Sequence, residues 1–210
     1  MADKYATFSE LAQSMTEGRD FRRRRRKRTG TTAVIAPHGG GIEPGTSEVA
    51  DAVAADDFSF YAFEGIKSKN GDLHITSTRF DEPRCVALVR ASPRAISIHG
   101  EKDDRQVVFL GGRDELTLRR LRESLSARGF RFETHRTAAG LNQANICNRT
   151  ANGVGVQLEL SKGLRRSFFA SLSKSGRRSK TQRFHQFVAT VREAFDEATI
   201  ATTTGSAAKR

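Results

Sequence analysis

An α/β sandwich is the fold this 210-residue chain predicts, and three observations carry the prediction. Segments with strand signals and segments with helix signals alternate along most of its length, as in a sheet covered by helices. The helix-like segments keep their apolar residues on one side, at three- and four-residue spacing. His38, His99 and Glu159 each fall at or near the end of an expected strand, where open α/β sheets gather their sites.

Taken in order, Phe8, Leu11 and Met15 share one side of a helix over residues 5–15, which Gly18 ends. Phe21 then leads into the basic run Arg22-Arg23-Arg24-Arg25-Arg26-Lys27-Arg28. That run reads equally well as a polyanion-binding arm, nucleic acid included, or as a solvated, strand-like surface segment. It contains none of the stacking aromatics that a single-strand binder uses. Val34 and Ile35 mark a buried strand, and a helix follows over residues 46–54. Alternation from Phe58 to Phe63 predicts a strand, and Val86, Leu88 and Val89 a helix over residues 82–91. Strands are expected over residues 94–100 and 106–110, then a helix over 114–128 with Leu116, Leu118, Leu121 and Leu125 on its apolar side. Short strands over 130–133 and 155–160 precede a long helix over 180–199, whose face carries Phe184, Phe187, Val188, Val191 and Phe195. Residues 1–199 thus form one domain, and 200–210, without periodicity, a frayed tail.

The formal net charge of +12 points to an anionic partner without choosing which. No apolar run approaches the roughly 20 residues of a membrane helix, and the first residues lack the apolar stretch of a secretory signal. Cys85 and Cys147 form no Cys-x-x-Cys, which argues against a disulfide scaffold and a structural zinc finger. A cytoplasmic protein is the default, with release by lysis left open.

The strongest local signal is the run from Pro37 to Thr46, which places His38, three glycines and Glu43 between a strand and a helix. Both His38 and Glu43 are metal-ligand types, and the glycines allow something to approach the backbone closely. His99, after Ile96-Ser97-Ile98 and before Gly100, would alone read as a satisfied core histidine. With His38 and Glu43 it completes two imidazoles and a carboxylate, a set that matches a catalytic zinc site with one open position. Glu159 is a charged residue between Leu158 and Leu160. It is either an edge-strand glutamate facing water or a cleft carboxylate whose pKa burial raises toward general-base use. The segment from Asn142 to Arg149 is either an Asn-rich turn or a grip for a carboxylate, Arg149 offering a two-point contact. His74 is open between ligand, substrate contact and structural hydrogen-bonder, and Arg79 is a candidate anion contact.

These segments together resemble the poly-γ-glutamate hydrolase family of bacteriophages and bacteria. The resemblance rests on Pro37-His38-Gly39-Gly40-Gly41-Ile42-Glu43-Pro44-Gly45-Thr46-Ser47-Glu48, Phe63-Glu64-Gly65, Leu73-His74-Ile75-Thr76-Ser77-Thr78, Phe80-Asp81-Glu82-Pro83, Ile98-His99-Gly100, Asn145-Ile146-Cys147-Asn148-Arg149 and Gly155-Val156-Gln157-Leu158-Glu159-Leu160-Ser161. It implies a three-layer open α/β sandwich like that of the zinc carboxypeptidases, with a mixed, mostly parallel sheet. It also implies a Zn2+-dependent hydrolase of γ-glutamyl amide bonds, with the anionic polymer as partner and no membrane. Carried across, His38, Glu43 and His99 would be zinc ligands, Glu159 the general base, and Asn148 and Arg149 would lie near the substrate; Arg79 and His74 join them as substrate-contact candidates on their own residue types. The arginine run is more basic than the resemblance leads one to expect. Two rival readings stand beside it: zinc chemistry on another acidic amide, and a basic nucleic-acid-binding phage protein.

Overall fold

The computed structural model describes residues 3–135 and 139–195. The expected tail over 200–210 and the end of the last helix, 196–199, lie outside them. Strands β1 (Phe21–Arg26), β2 (Ala33–Gly40), β3 (Ser59–Gly65), β4 (Ala95–Glu101), β5 (Val108–Gly112), β6 (Phe132–Thr134) and β7 (Val156–Ser161) form a single sheet in the order β1-β3-β2-β4-β7-β5-β6. The pairs β3/β2, β2/β4, β4/β7 and β5/β6 are parallel, and β1/β3 and β7/β5 antiparallel. The sheet is therefore mixed and mostly parallel, as expected.

Successive side chains alternate across the sheet, and each face has its own core. Val34, Phe60, Ile96, Ile98 and Leu158 pack with α2 (Thr46–Ala54), α4 (Glu115–Ala127) and α6 (Gln182–Ala194) through Val49, Leu121 and Phe187. On the other face Ile35, Tyr61, Phe63 and Ala95 pack with α1 (Phe8–Ser14) and α3 (Pro83–Arg90) through Phe8, Leu11 and Leu88. These are three layers. Side-chain caps start several of the helices: Asp114 accepts from the Thr117 amide and Thr181 from the Phe184 amide.

One expectation needs correction, and one element was not anticipated. Leu116 is 40% exposed rather than part of the apolar side of α4. At 3.6 residues per turn it stands about 160–200° from Leu118 and Leu125, so it points outward while Leu118, Leu121 and Leu125 are buried. A short helix, α5 (Lys162–Ser167), follows β7 directly, capped by Ser161 accepting from the Leu164 amide; its six residues are too few to show a period.

The arginine run is β1, an edge strand whose side chains alternate between two sets of partners. Arg22 and Arg24 pair with Glu64, and Arg24 and Arg26 pair with Asp51. On the opposite side Arg23 pairs with Glu17 and, at 2.9 Å, with the fully buried Glu82. Arg26 lies over the Phe60 ring at 4.7 Å. The run is a strand, as one of its two readings had it, and Arg22, Arg23, Arg24 and Arg26 are ion-paired within the molecule. Removing the Arg23 guanidinium leaves the Glu82 carboxylate buried without its counter-charge. Arg23→Ala is expected to cost about 3–5 kcal/mol, read as a lower denaturant midpoint. Arg25→Ala, on an exposed residue, is expected to shift stability by less than about 0.5 kcal/mol.

Candidate metal centre

The end of β2 is bent before it reaches the site. Its register against β3 moves from Ala36↔Ala62 to Gly39↔Glu64, so β2 carries one extra residue at Pro37 and His38. Such a bulge re-aims a side chain, and proline, which has no amide proton to contribute, suits it. Gly40 follows with φ of 65°, and a Cβ there would lie 2.5 Å from the Gly65 carbonyl. What approaches the glycines is therefore the end of β3, packed against the turn. Past the turn, the Glu43 amide donates to the His38 carbonyl at 2.9 Å, which brings Glu43 back beside the histidine that precedes it.

His99 arrives from β4, one strand over, and Glu159 from β7, directly opposite His99 in the parallel ladder. Ser97 and Gln157, two residues earlier, form the next rung. This face of the sheet is apolar at Ala33, Ile35 and Ala95 and turns polar toward the strand ends.

Four ligand-type side chains meet there. His38 Nδ1 lies 3.2 Å from Glu43 Oε1 and 3.1 Å from His99 Nδ1. His99 Nδ1 is 3.9 Å from Glu43 Oε2, and His74 Nε2 is 3.9 Å from Glu43 Oε1. The His38 and His74 rings stack with centroids 4.0 Å apart. The outer nitrogens are already engaged. His38 Nε2 donates to the Ile75 carbonyl at 2.8 Å, which leaves Nδ1 as the lone-pair nitrogen of the neutral ring. His99 Nε2 pairs with Ser97 Oγ at 2.7 Å, and His74 Nδ1 donates to Asp3 Oδ1 at 2.7 Å. Asp3 also accepts from the Thr76 amide and from Arg79.

Electrostatics follow from burial and crowding. Burial drives the His99 imidazole down to about 3, and the charge on His38 adds to that. Burial works to raise the Glu43 carboxyl, but His38, His99 and the Gly100 amide outweigh it and hold it at about 2. Burial opposes charge on His38, and the adjacent Glu43 carboxylate outweighs it and raises its pKa. The Glu159 carboxyl is pushed well above its ordinary value by burial, then by Glu43 and Glu101.

The donor set fits zinc. A tetrahedral ion with ligand bonds of about 2.0–2.1 Å separates its ligand atoms by about 3.3–3.4 Å. The His38–Glu43 and His38–His99 distances of 3.2 and 3.1 Å approach that edge length. His38, Glu43 and His74 also present donor atoms within 4.8 Å of one another, so Glu43 faces a candidate third imidazole on either side.

A cavity of about 560 Å³ opens over this cluster, lined by His38, Glu43, His74, His99, Gln157 and Glu159 among others. Gln157 Nε2 donates to Glu159 Oε1 at 3.0 Å, and Asn145 Nδ2 donates to Gln157 Oε1 at 2.7 Å. The Asn145 bond sets the Gln157 amide so that its donor end faces Glu159. Asn148, Arg149 and Arg79 do not line the cavity. Asn148 Nδ2 donates to the Gly140 and Asn142 carbonyls, and Arg149 to those of Thr78, Phe80 and Ala144. Arg79 is spent on Asp3. Sequence reasoning missed Asp3, Gln157 and Arg165. Arg165 is buried in α5 and donates to the Leu160, Pro44 and Glu101 carbonyls, tying the Glu43 turn to the ends of β4 and β7. A Cβ on Gly100 would sit 2.8 Å from its guanidinium carbon, so this glycine makes room for the tie.

Known proteins are similar to this chain over most of its length. YndL of Bacillus subtilis (strain 168) is 37% identical over 190 residues, 88% of this chain and 75% of that protein. The structure described as that of a bacteriophage poly-gamma-glutamate hydrolase superposes with a TM-score of 0.91 at 33% identity, covering 96% of this chain and all of the other. A structure described as zinc-free apo YndL superposes with a TM-score of 0.86 at 36% identity, covering 92% and 97% of the two chains. Residues 5–190 match the poly-gamma-glutamate hydrolase family, a span that holds the bulged strand, all four converging ligand-type residues and Glu159, and the chain belongs to that family.

Proposed function

We propose that this protein is a zinc-dependent hydrolase that cleaves the γ-glutamyl amide bonds of poly-γ-glutamate. The observation that carries the reading is the donor cluster of His38, Glu43 and His99 opening onto the same cavity as a deeply set carboxylate, Glu159. The family supports the substrate class, and the zinc-free state named for the YndL structure supports the metal.

His38, Glu43 and His99 would hold the ion, because the two Nδ1 atoms face each other while their outer nitrogens are engaged elsewhere. When bound, zinc supplies Lewis-acid polarisation of a carbonyl and acidifies water. Glu159 takes the proton of the attacking water, for which the raised pKa of its carboxyl suits it, and returns that proton to the leaving amine. Gln157 holds Glu159 in place through its bond to Oε1. His74, whose Nδ1 proton goes to Asp3, presents an Nε2 lone pair to the cavity, an acceptor for the amide N–H of the substrate. Thr76, Thr78 and Asn142 complete a polar wall that contains no lysine or arginine among the described residues.

The test is release of new amino groups from poly-γ-glutamate, from N-acylated glutamates and from a peptidoglycan peptide, each with zinc and with a chelator. The expected result is zinc-dependent cleavage of the polymer, with the small amides cleaved slowly or not at all. Faster cleavage of an acyl-glutamate than of the polymer would reject the substrate, and chelator-resistant cleavage would reject the metal.

A further inference from the structure

Two more cavities follow the first, each sharing lining residues with the one before it. One, of about 600 Å³, shares Glu43, His74 and Gly100 with it and adds Lys102, Lys162 and Arg165. The next, of about 490 Å³, shares Pro44 and Leu172 with the second and adds Arg22, Lys67, Lys174, Arg177 and Arg178. The supply of cations changes along this series. Among its described lining residues the first cavity has Glu43, Glu101 and Glu159 and no lysine or arginine. In the third, the two carboxylates are occupied, Glu48 by Arg177 and Glu64 by Arg22 and Arg24. Lys102, Lys174 and Arg178 are exposed and make no ion pair among the described residues. Lys162 has only the exposed Asp104 nearby, at 3.8 Å. Most of β1, by contrast, has its charge neutralised internally. Uncommitted cations are therefore ranged on one side of the metal centre.

We propose that this basic series is a track for the α-carboxylates of a γ-linked glutamate chain, so that the polymer lies mainly on the Lys102–Arg178 side of the bond being cut. The proposal rests on the function given above. A γ-linked chain exposes one carboxylate on every residue and carries no other repeating charge. The first cavity offers such groups no lysine or arginine among the described residues, whereas Lys102 and Lys162 receive the nearest and Lys174 and Arg178 the more distant ones. An exposed pair of this kind contributes a factor of roughly 1.5 to 5 in affinity and is weakened by salt. The track acts by adding several such contacts, so binding should tighten as the chain lengthens.

The experiment compares the wild type, a track variant (Lys102→Ala, Lys174→Ala and Arg178→Ala together) and a control variant (Arg25→Ala, Lys27→Ala and Arg119→Ala together). The control removes the same charge from exposed residues that line none of these cavities. KM is measured on γ-linked oligomers of increasing length, and melting temperature confirms that both variants fold. In the wild type and the control, KM should fall with length, and added salt should reduce the effect. In the track variant that dependence should flatten, with KM for the longest oligomer raised about tenfold. Unchanged length dependence in the track variant, or an equal loss in the control, overturns the proposal. Binding of labelled γ-linked oligomer and of labelled single-stranded DNA to zinc-free protein, read by fluorescence anisotropy, separates the two claims. Oligomer binding that the track variant loses, together with no cleavage by the zinc-loaded wild type, sinks the hydrolase reading and leaves the track standing. Tighter binding of DNA through the same three residues overturns the track.

Discussion

Glu159→Gln is expected to keep its zinc and lose turnover by about 10²–10⁴-fold. Glutamine matches the shape of glutamate, and the Gln157 amide that donates to Glu159 Oε1 at 3.0 Å can still donate to the new side-chain carbonyl. What the variant lacks is a site that accepts a proton and later gives it up. The loss should therefore fall on kcat, with KM and metal content close to wild type. The measurement is steady-state kinetics on the polymer beside metal analysis of the same preparation. Full activity would remove Glu159 from the chemistry, and loss of zinc would move it into the ligand set. Gln157→Leu should give a smaller loss, because it frees the carboxylate to rotate without removing it.

His99→Ala is expected to abolish stoichiometric zinc binding and with it all but background activity, whereas His74→Ala should keep zinc and lose part of its turnover. Glu43 stands 3.9 Å from each of these rings, so distance to the carboxylate does not separate them. The assignment turns on the third member: His99 Nδ1 faces His38 Nδ1 at 3.1 Å, inside the sheet and almost fully buried. The readouts are metal content after dialysis and the rise in melting temperature on adding zinc. A specific ion at 100 times its dissociation constant stabilises the folded state by about 2.7 kcal/mol. The wild type and His74→Ala should show that rise, and His99→Ala should not. The opposite pattern would make His74 the third ligand and His99 a core residue. Asp3→Asn weakens the acceptor that orients His74, and its effect should follow that of His74→Ala at lower amplitude.

The layers and most elements were legible because the chain's periodicities agree with its tertiary structure. Strand and helix spacings pointed to the α/β sandwich, and the expected helix over residues 46–54 coincides with α2. Leu116 misled because it looks periodic by residue type, although its angle around the helix turns it outward. Within the site, His38, Glu43 and His99 stood out as ligand types beside glycines. Ser97 and Gln157 were readable in principle, since each lies two residues before a site residue and must share its face. The roles of Asp3 and Arg165 were not readable. Asp3 bonds to His74 across 71 positions and Arg165 to Pro44 across 121, and no local pattern encodes such contacts. Arg149 was prominent for its chemistry, yet its donors are satisfied by three carbonyls, a use that composition does not reveal.

The placement of β1 at the margin of the sheet has a bearing on solubility as well. A sheet's outermost strand leaves backbone donors and acceptors available for a stranger's strand, and long, cohesive margins of this kind seed precipitates. Here a copy approaching with its own β1 would have to lay one row of arginines against another, so the same arginines that knit the margin inward also make it a poor template for that self-association.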